Sequence, residues 1–247
     1  QGMCMLCALA VDYPGSDRWY EALRRFSQER DPQDAAAWQA RSRLAWLDVS
    51  LPQRGVEGLT QTIPAVVRLM TDKEVSLPPF SVTSALPTIM NGGKDFSPWS
   101  KKDDLLYSTI RVPVEKLLRA DGVGLPDCAL AESKFEKGED ISQRLLTVVS
   151  RMREIQQSGT PDIEFAACGL LVRNYIDQGR LENARRTLEL QRKQFVERGQ
   201  LRFLPNLDAM SCRVDLHGGD LDRADIWYRE KAPRDPVHLN ILKRYQY

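Results

Sequence analysis

The strongest constraint on this chain is a glycine that returns about every 40 residues. The pattern reads Gly138-Glu139-Asp140, then Gly179-Arg180-Leu181-Glu182-Asn183-Ala184, then Gly219-Asp220-Leu221-Asp222-Arg223-Ala224, in steps of 41 and 40 residues. Gly15 and Gly55 are also 40 apart, and Gly138 lies about two further steps on. An apolar helical stretch precedes each later glycine and another follows it. A fixed period of this size marks stacked helix pairs, because one pair cannot bury its apolar face alone and must pack on the next. The expectation is a solenoid, an architecture that mostly binds other molecules.

From residue 125 the periodicity predicts helices over 125–138, 141–158, 161–178, 180–198, 204–218, 220–231 and 237–247. Ile163, Ala166, Ala167, Leu170 and Leu171 fall at i, i+3, i+4, i+7 and i+8, which is one face of a helix begun by Thr160-Pro161. Leu181, Ala184, Leu188 and Phe195 offer the partner face, and Leu221, Ala224, Trp227 and Tyr228 repeat it. Ala184 and Ala224, each five residues past its glycine, let helices approach closely. Gly138, Gly179 and Gly219 are expected to end their helices in the left-handed conformation that glycine adopts freely.

The first part of the chain follows the same rule less regularly. Helices are expected over 3–13 and 17–30, hinged at Pro14-Gly15-Ser16. Asp31 is the expected cap of a third helix, with Pro32 at its first position, running to about Leu51 and carrying Trp38, Leu44, Ala45, Leu47 and Val49. Val56 to Met70 make a returning helix, which Pro64 should kink. Residues 71–124 break the rhythm with Pro78-Pro79, Pro87, Asn91-Gly92-Gly93, Pro98, Pro113, Gly122 and Gly124. Short helices over 100–108 and 112–120 are all that this punctuation permits. An irregular insert of that length is usually functional, and Phe80, Phe96, Trp99 and Tyr107 give it apolar anchors. The expected organisation is helical repeats over 1–70, the irregular insert over 71–124, and helical repeats over 125–247. The terminal patterns read as parts of further repeats, so the expectation is one continuous piece of a longer solenoid.

Charge and cysteine content narrow the function. A net charge of +1 argues against a dedicated nucleic-acid surface. The longest apolar run, Met3 to Val11, is too short to span a bilayer and lacks the pattern of a signal peptide. Five cysteines, mostly inside apolar helical stretches, predict buried thiols in a reducing, cytoplasmic setting. Cys4-Met5-Leu6-Cys7 has redox-motif spacing, but no second pair or nearby histidine completes a metal set.

No set of residues supports catalysis. Only His217 and His238 are histidines, and neither has a nucleophile and acid in helpful context. Asn91-Gly92-Gly93-Lys94-Asp95 fails as a phosphate loop, since Thr88 stands where a glycine is needed and Asp95 follows the lysine. It reads as a tight turn or a polar contact point. Asp220, Asp222 and Asp225 read as helix N-terminal acids and not as a calcium loop. No metal and no cofactor are expected. The candidate working surface is the inner face of the superhelix with the insert: Asn91, Lys94, Asp95, Trp99, Tyr107, Arg173, Asn206 and Arg213, with Asn174, Asp208 and Asp215 beside them.

The repeat Gly-x-Leu-Glu-x-Ala-Arg at 179–185 and Gly-Asp-Leu-Asp-x-Ala at 219–224, followed by Trp227, resembles the helical sensor region of MalT-like, LuxR-type transcription regulators. Leu86 to Phe96, with Trp99-Ser100 after it, is similar to a segment of a clostridial-type branch of that family. The resemblance implies an all-α, right-handed superhelix of tetratricopeptide-like helix pairs. It implies a bacterial sensor segment that binds an effector, such as a small sugar or another metabolite, or a protein or peptide. Neighbouring ATPase and DNA-binding domains would lie outside these residues, so DNA would be reached only through an absent domain, and no membrane is involved. A protein-interaction scaffold of tetratricopeptide type with no small ligand is the alternative reading.

Overall fold

The computed structural model describes residues 1–51, 53–54 and 101–232, and among them every regular element is helical. The expected helices over 56–70 and 237–247, and the insert over 71–100, lie outside the described residues.

Three helices form the first group: α1 (Gly2–Leu9), α2 (Tyr13–Gln28) and α3 (Ala35–Ser50). Their shared core is Cys4, Met5, Ala8, Tyr20, Leu44, Leu47 and Leu51. The expected hinge at Pro14-Gly15-Ser16 is instead the first turn of α2. Pro14 fits there because its missing N–H would have no helical partner, and Asp12 caps the turn by accepting from the Gly15 N–H at 2.9 Å. The reversal falls earlier, where Val11 holds φ 62°. The cap of α3 also moves. Asp34, not Asp31, accepts from the Ala36 N–H at 2.8 Å, while Asp31 accepts from the Gln33 N–H in the preceding turn.

The second group begins with α4 (Asp103–Leu118), one helix where two short ones were expected. Pro113 lies inside it and forgoes one backbone hydrogen bond. Packing along α5 (Leu125–Glu136) holds the helix on both sides of that gap. A short 3-10 turn, Arg119–Gly122, leads to Gly124 at φ 79°, which starts α5. The expected helix over 141–158 is divided into α6 (Ser142–Ser150) and α7 (Met152–Ser158), with Arg151 at the break. Then follow α8 (Pro161–Asp177), α9 (Leu181–Glu197), a 3-10 turn at Leu201–Phe203, α10 (Leu204–His217) and α11 (Leu221–Glu230).

Within each group every helix packs on its neighbour in sequence, and in the second group α8 also touches α5 and α10. That makes α8 the central element. Ile163, Ala166, Ala167 and Leu170 enter one core with Cys128, Ala131, Leu145, Val148 and Ile155. Phe165, Cys168 and Val172 enter a second with Ala184, Leu188, Leu207, Met210 and Val214. In this second core the Phe165, Phe195 and Phe203 rings pack with centroids 4.8 to 6.4 Å apart. At the far end, Ala224 is buried as expected, whereas Leu221 and Tyr228 are exposed.

The glycine expectation holds at atomic detail. Gly138, Gly179 and Gly219 have φ of 71°, 68° and 78°. In each turn the glycine N–H and the N–H after it donate back to the last helical carbonyls, as Gly179 does to Ile176 and Arg180 to Tyr175. Gly199, at φ 69°, makes the same turn after α9. The left-handed glycine therefore recurs every 20 residues from Gly179 to Gly219.

Substituting these glycines separates backbone strain from crowding. A Cβ at Gly179 meets nothing within 4 Å, so Gly179→Ala should lower urea-unfolding stability by only about 1 kcal/mol. A Cβ at Gly124 would come within 2.5 Å of Ile155 Cδ1, so Gly124→Ala should cost about 2–3 kcal/mol.

Candidate functional site

The cross-links between helices follow the repeat. Arg144 Nη2 donates to Asp104 at 2.8 Å, and Arg202 grips Asp162 with two hydrogen bonds at 3.1 and 2.6 Å. Both partners are 40 residues apart. Arg173 on α8 reaches back to α5, where Nη1 donates to Glu132 at 3.1 Å and Nη2 to Glu136. Its guanidinium lies 4.6 Å from the centre of the Phe135 ring. Glu132 is fully buried, so Arg173 compensates a charge that would otherwise be costly to bury.

Two further networks tie consecutive helices together. At the junction of α6 and α7, Arg151 donates to Glu115 of α4, Asp127 of α5 and Glu154 of α7. Asp127 is almost fully buried and also accepts from the Tyr107 hydroxyl at 2.5 Å. Burial and the Asp127 carboxylate push the Tyr107 pKa up, and the three carboxylates hold Arg151 protonated. Across α7, α8 and α9, Glu164 Oε1 accepts from Gln156, Gln191 and Arg198 at 3.0, 2.9 and 2.7 Å. These arrangements brace the fold.

An open depression of about 500 Å³ lies beside the start of α4, lined by Lys101, Lys102, Asp103, Asp104, Leu105, Lys134 and Lys137. Asp103 accepts from Ser133 at 3.0 Å and Lys137 at 2.7 Å and pairs with Lys134 at 3.2 Å. Burial works to raise the Asp103 pKa, but these donors outweigh it and hold the carboxyl below its ordinary value.

The sequence-derived candidates divide into groups. Asn91, Lys94, Asp95 and Trp99 lie outside the described residues. Tyr107 is engaged by Asp127 inside the protein. Asn174 and Asn206 are buried, each 8% exposed, and present little surface to a ligand. Asp208 pairs with Arg192 and Lys231, and Asp215 with Arg185. Arg173 and Arg213 are brought together on α8 and α10, with Arg173 paired and Arg213 exposed. The Arg151 network went unrecognised in the sequence because its members are spread over three helices and the α6–α7 junction. Its partner spacings of 24 and 36 residues fall off the 40-residue step.

The cysteines behave as core residues. Cys128, Cys168 and Cys212 are buried, and burial pushes the Cys168 thiol up to about 12. Among the described residues no group of histidine, cysteine or acidic side chains is arranged to hold a metal ion, and no helix is long and apolar enough to cross a membrane. No family model matches the chain, and no curated protein or solved structure is significantly similar to it.

The buried network should dominate the mutational response of this region. Arg151→Ala leaves the buried Asp127 with only the Tyr107 hydroxyl and the more distant Arg111, 3.6 Å away, and should lower stability by about 3 kcal/mol. Arg229→Ala removes an exposed helical pair with Asp225 and should change it by less than about 0.5 kcal/mol. Urea unfolding of the two variants, followed by circular dichroism, checks the contrast.

Proposed function

We propose that this chain works by binding. In this reading its helices wind into a right-handed superhelix of tetratricopeptide-like pairs, with α5, α8 and α10 lining the concave side. An effector or partner docks there and biases the ATPase and DNA-binding domains of a MalT-like, LuxR-type regulator. Such coupling requires the ligand to favour one global state over another.

The observation that carries the reading is the periodic register. Left-handed glycines every 20 residues, with ion pairs repeating at 40, are what a stack of equivalent helix pairs produces. Among the described residues, Arg213 on α10 is exposed, and the depression by α4 is lined by lysines and aspartates. This character suits a protein or peptide better than a neutral sugar, which favours exposed aromatic platforms. A scaffold without any small ligand is therefore the second reading, and the charged surface speaks for it.

A thermal-shift screen of sugars, nucleotides, amino acids and short peptides decides between these readings. Saturation at about 100 times Kd contributes about 2.7 kcal/mol, which should raise Tm by about 5 °C or more. A shift from a small molecule supports the sensor, and a shift from peptides alone supports the scaffold. No shift from any compound contradicts a binding surface within these residues.

A further inference from the structure

Shifting the sequence by 40 residues places Arg213 of α10 on Arg173 of α8. The surroundings of the two arginines differ in one respect. Arg173 meets Glu132 and Glu136, the acids one turn apart on α5. The same positions on α8 are Val172, which is buried, and Ile176. The step from α8 to α10 thus keeps the arginine and loses both carboxylates. Tyr175 replaces Phe135, and its ring is already covered by Arg180 at 4.9 Å. Arg213 is exposed and has no ion-pair partner among the described residues.

We infer that Arg213 receives a carboxylate from an acidic peptide segment of a partner, which takes the place that Glu132 and Glu136 occupy against Arg173. The inference rests on the reading of α5, α8 and α10 as the binding surface. A guanidinium presents several N–H donors to carboxylates, and one repeat earlier Arg173 gives one Nη to Glu132 and the other to Glu136. The electrostatics agree. Crowding by the protein and the nearby Arg173 charge lower the Arg213 pKa, only partly offset by Glu136, so an added anion relieves a cation held at a cost. An acidic peptide is favoured over a small free acid because the carboxylates that hold Arg173 come from two side chains one turn apart on a single segment, Glu132 and Glu136.

The test uses fluorescein-labelled hexaglutamate as the probe, with succinate as the small-acid competitor and hexaglutamine as the neutral peptide. Arg213→Gln should weaken hexaglutamate binding about tenfold or more, while Lys193→Gln, the same charge change at a site 75% exposed, should alter it less than about twofold. Ile176→Glu supplies a carboxylate where Glu136 stands one repeat earlier and should also weaken the probe, by occupying Arg213. Circular dichroism confirms that each variant is folded. Equal affinities for wild type and Arg213→Gln, equal losses in Arg213→Gln and Lys193→Gln, or no probe binding to wild type would each overturn the inference. Succinate competing as well as hexaglutamate, residue for residue, would overturn the peptide as the source. If other ligands still shift Tm while Arg213→Gln behaves as wild type, the binding surface stands and only the carboxylate site falls.

Discussion

The turns that return the chain on itself depend on a residue that can hold a positive φ without strain. Gly138, Gly179, Gly199 and Gly219 do this at φ between 68° and 78°, each closing the last carbonyls of its helix. With helices of 17 residues at α8 and α9, such a turn fixes the advance per helix at about 20 residues. Two helices then make one 40-residue step, and the Asp104–Arg144 and Asp162–Arg202 pairs are spaced by that unit. Gly159 keeps the spacing with an extended backbone, φ −91° and ψ −170°, so the register survives a different turn.

Given that register, charge does the cross-linking. Asp104 meets Arg144, Glu132 meets Arg173, and Asp162 meets Arg202, because side chains one step apart face each other across packed helices. Their energetic weight differs with burial. Asp104 and Arg144 are both exposed and contribute little, whereas Glu132 is fully buried and depends on its partner. Arg151 adds a second kind of lock, joining α4 and α5 to the junction of α6 and α7.

Much of this was legible in the sequence because glycine and helical periodicity are local signals. The bounds of α8, α9, α10 and α11 agree with expectation to within one or two residues, and Cys128, Cys168 and Cys212 are core as read. The failures came where tertiary contacts overrode local preference. Pro113 reads as punctuation dividing two short helices, yet α4 runs through it along α5. The stripe from Ile163 to Leu171 showed one apolar face of α8, but Phe165, Cys168 and Val172 bury a second. Asp31 and Asp34 are both plausible caps, and only the backbone path chooses Asp34. For the site, Arg173 is engaged by Glu132 and Glu136, whereas Arg213 is exposed. Tyr107, Asn174 and Asn206 were misjudged because a polar side chain reads the same whether it faces solvent or an internal partner.

The central claim is that the 40-residue register sets which side chains meet. A double-mutant cycle of Arg173→Met and Glu132→Gln, read by urea unfolding, tests it directly. The account predicts a coupling of about 1.5 kcal/mol or more, as expected for a charge-assisted hydrogen bond at a buried carboxylate. A coupling near zero would contradict it, because α5 and α8 would then not be held in that register.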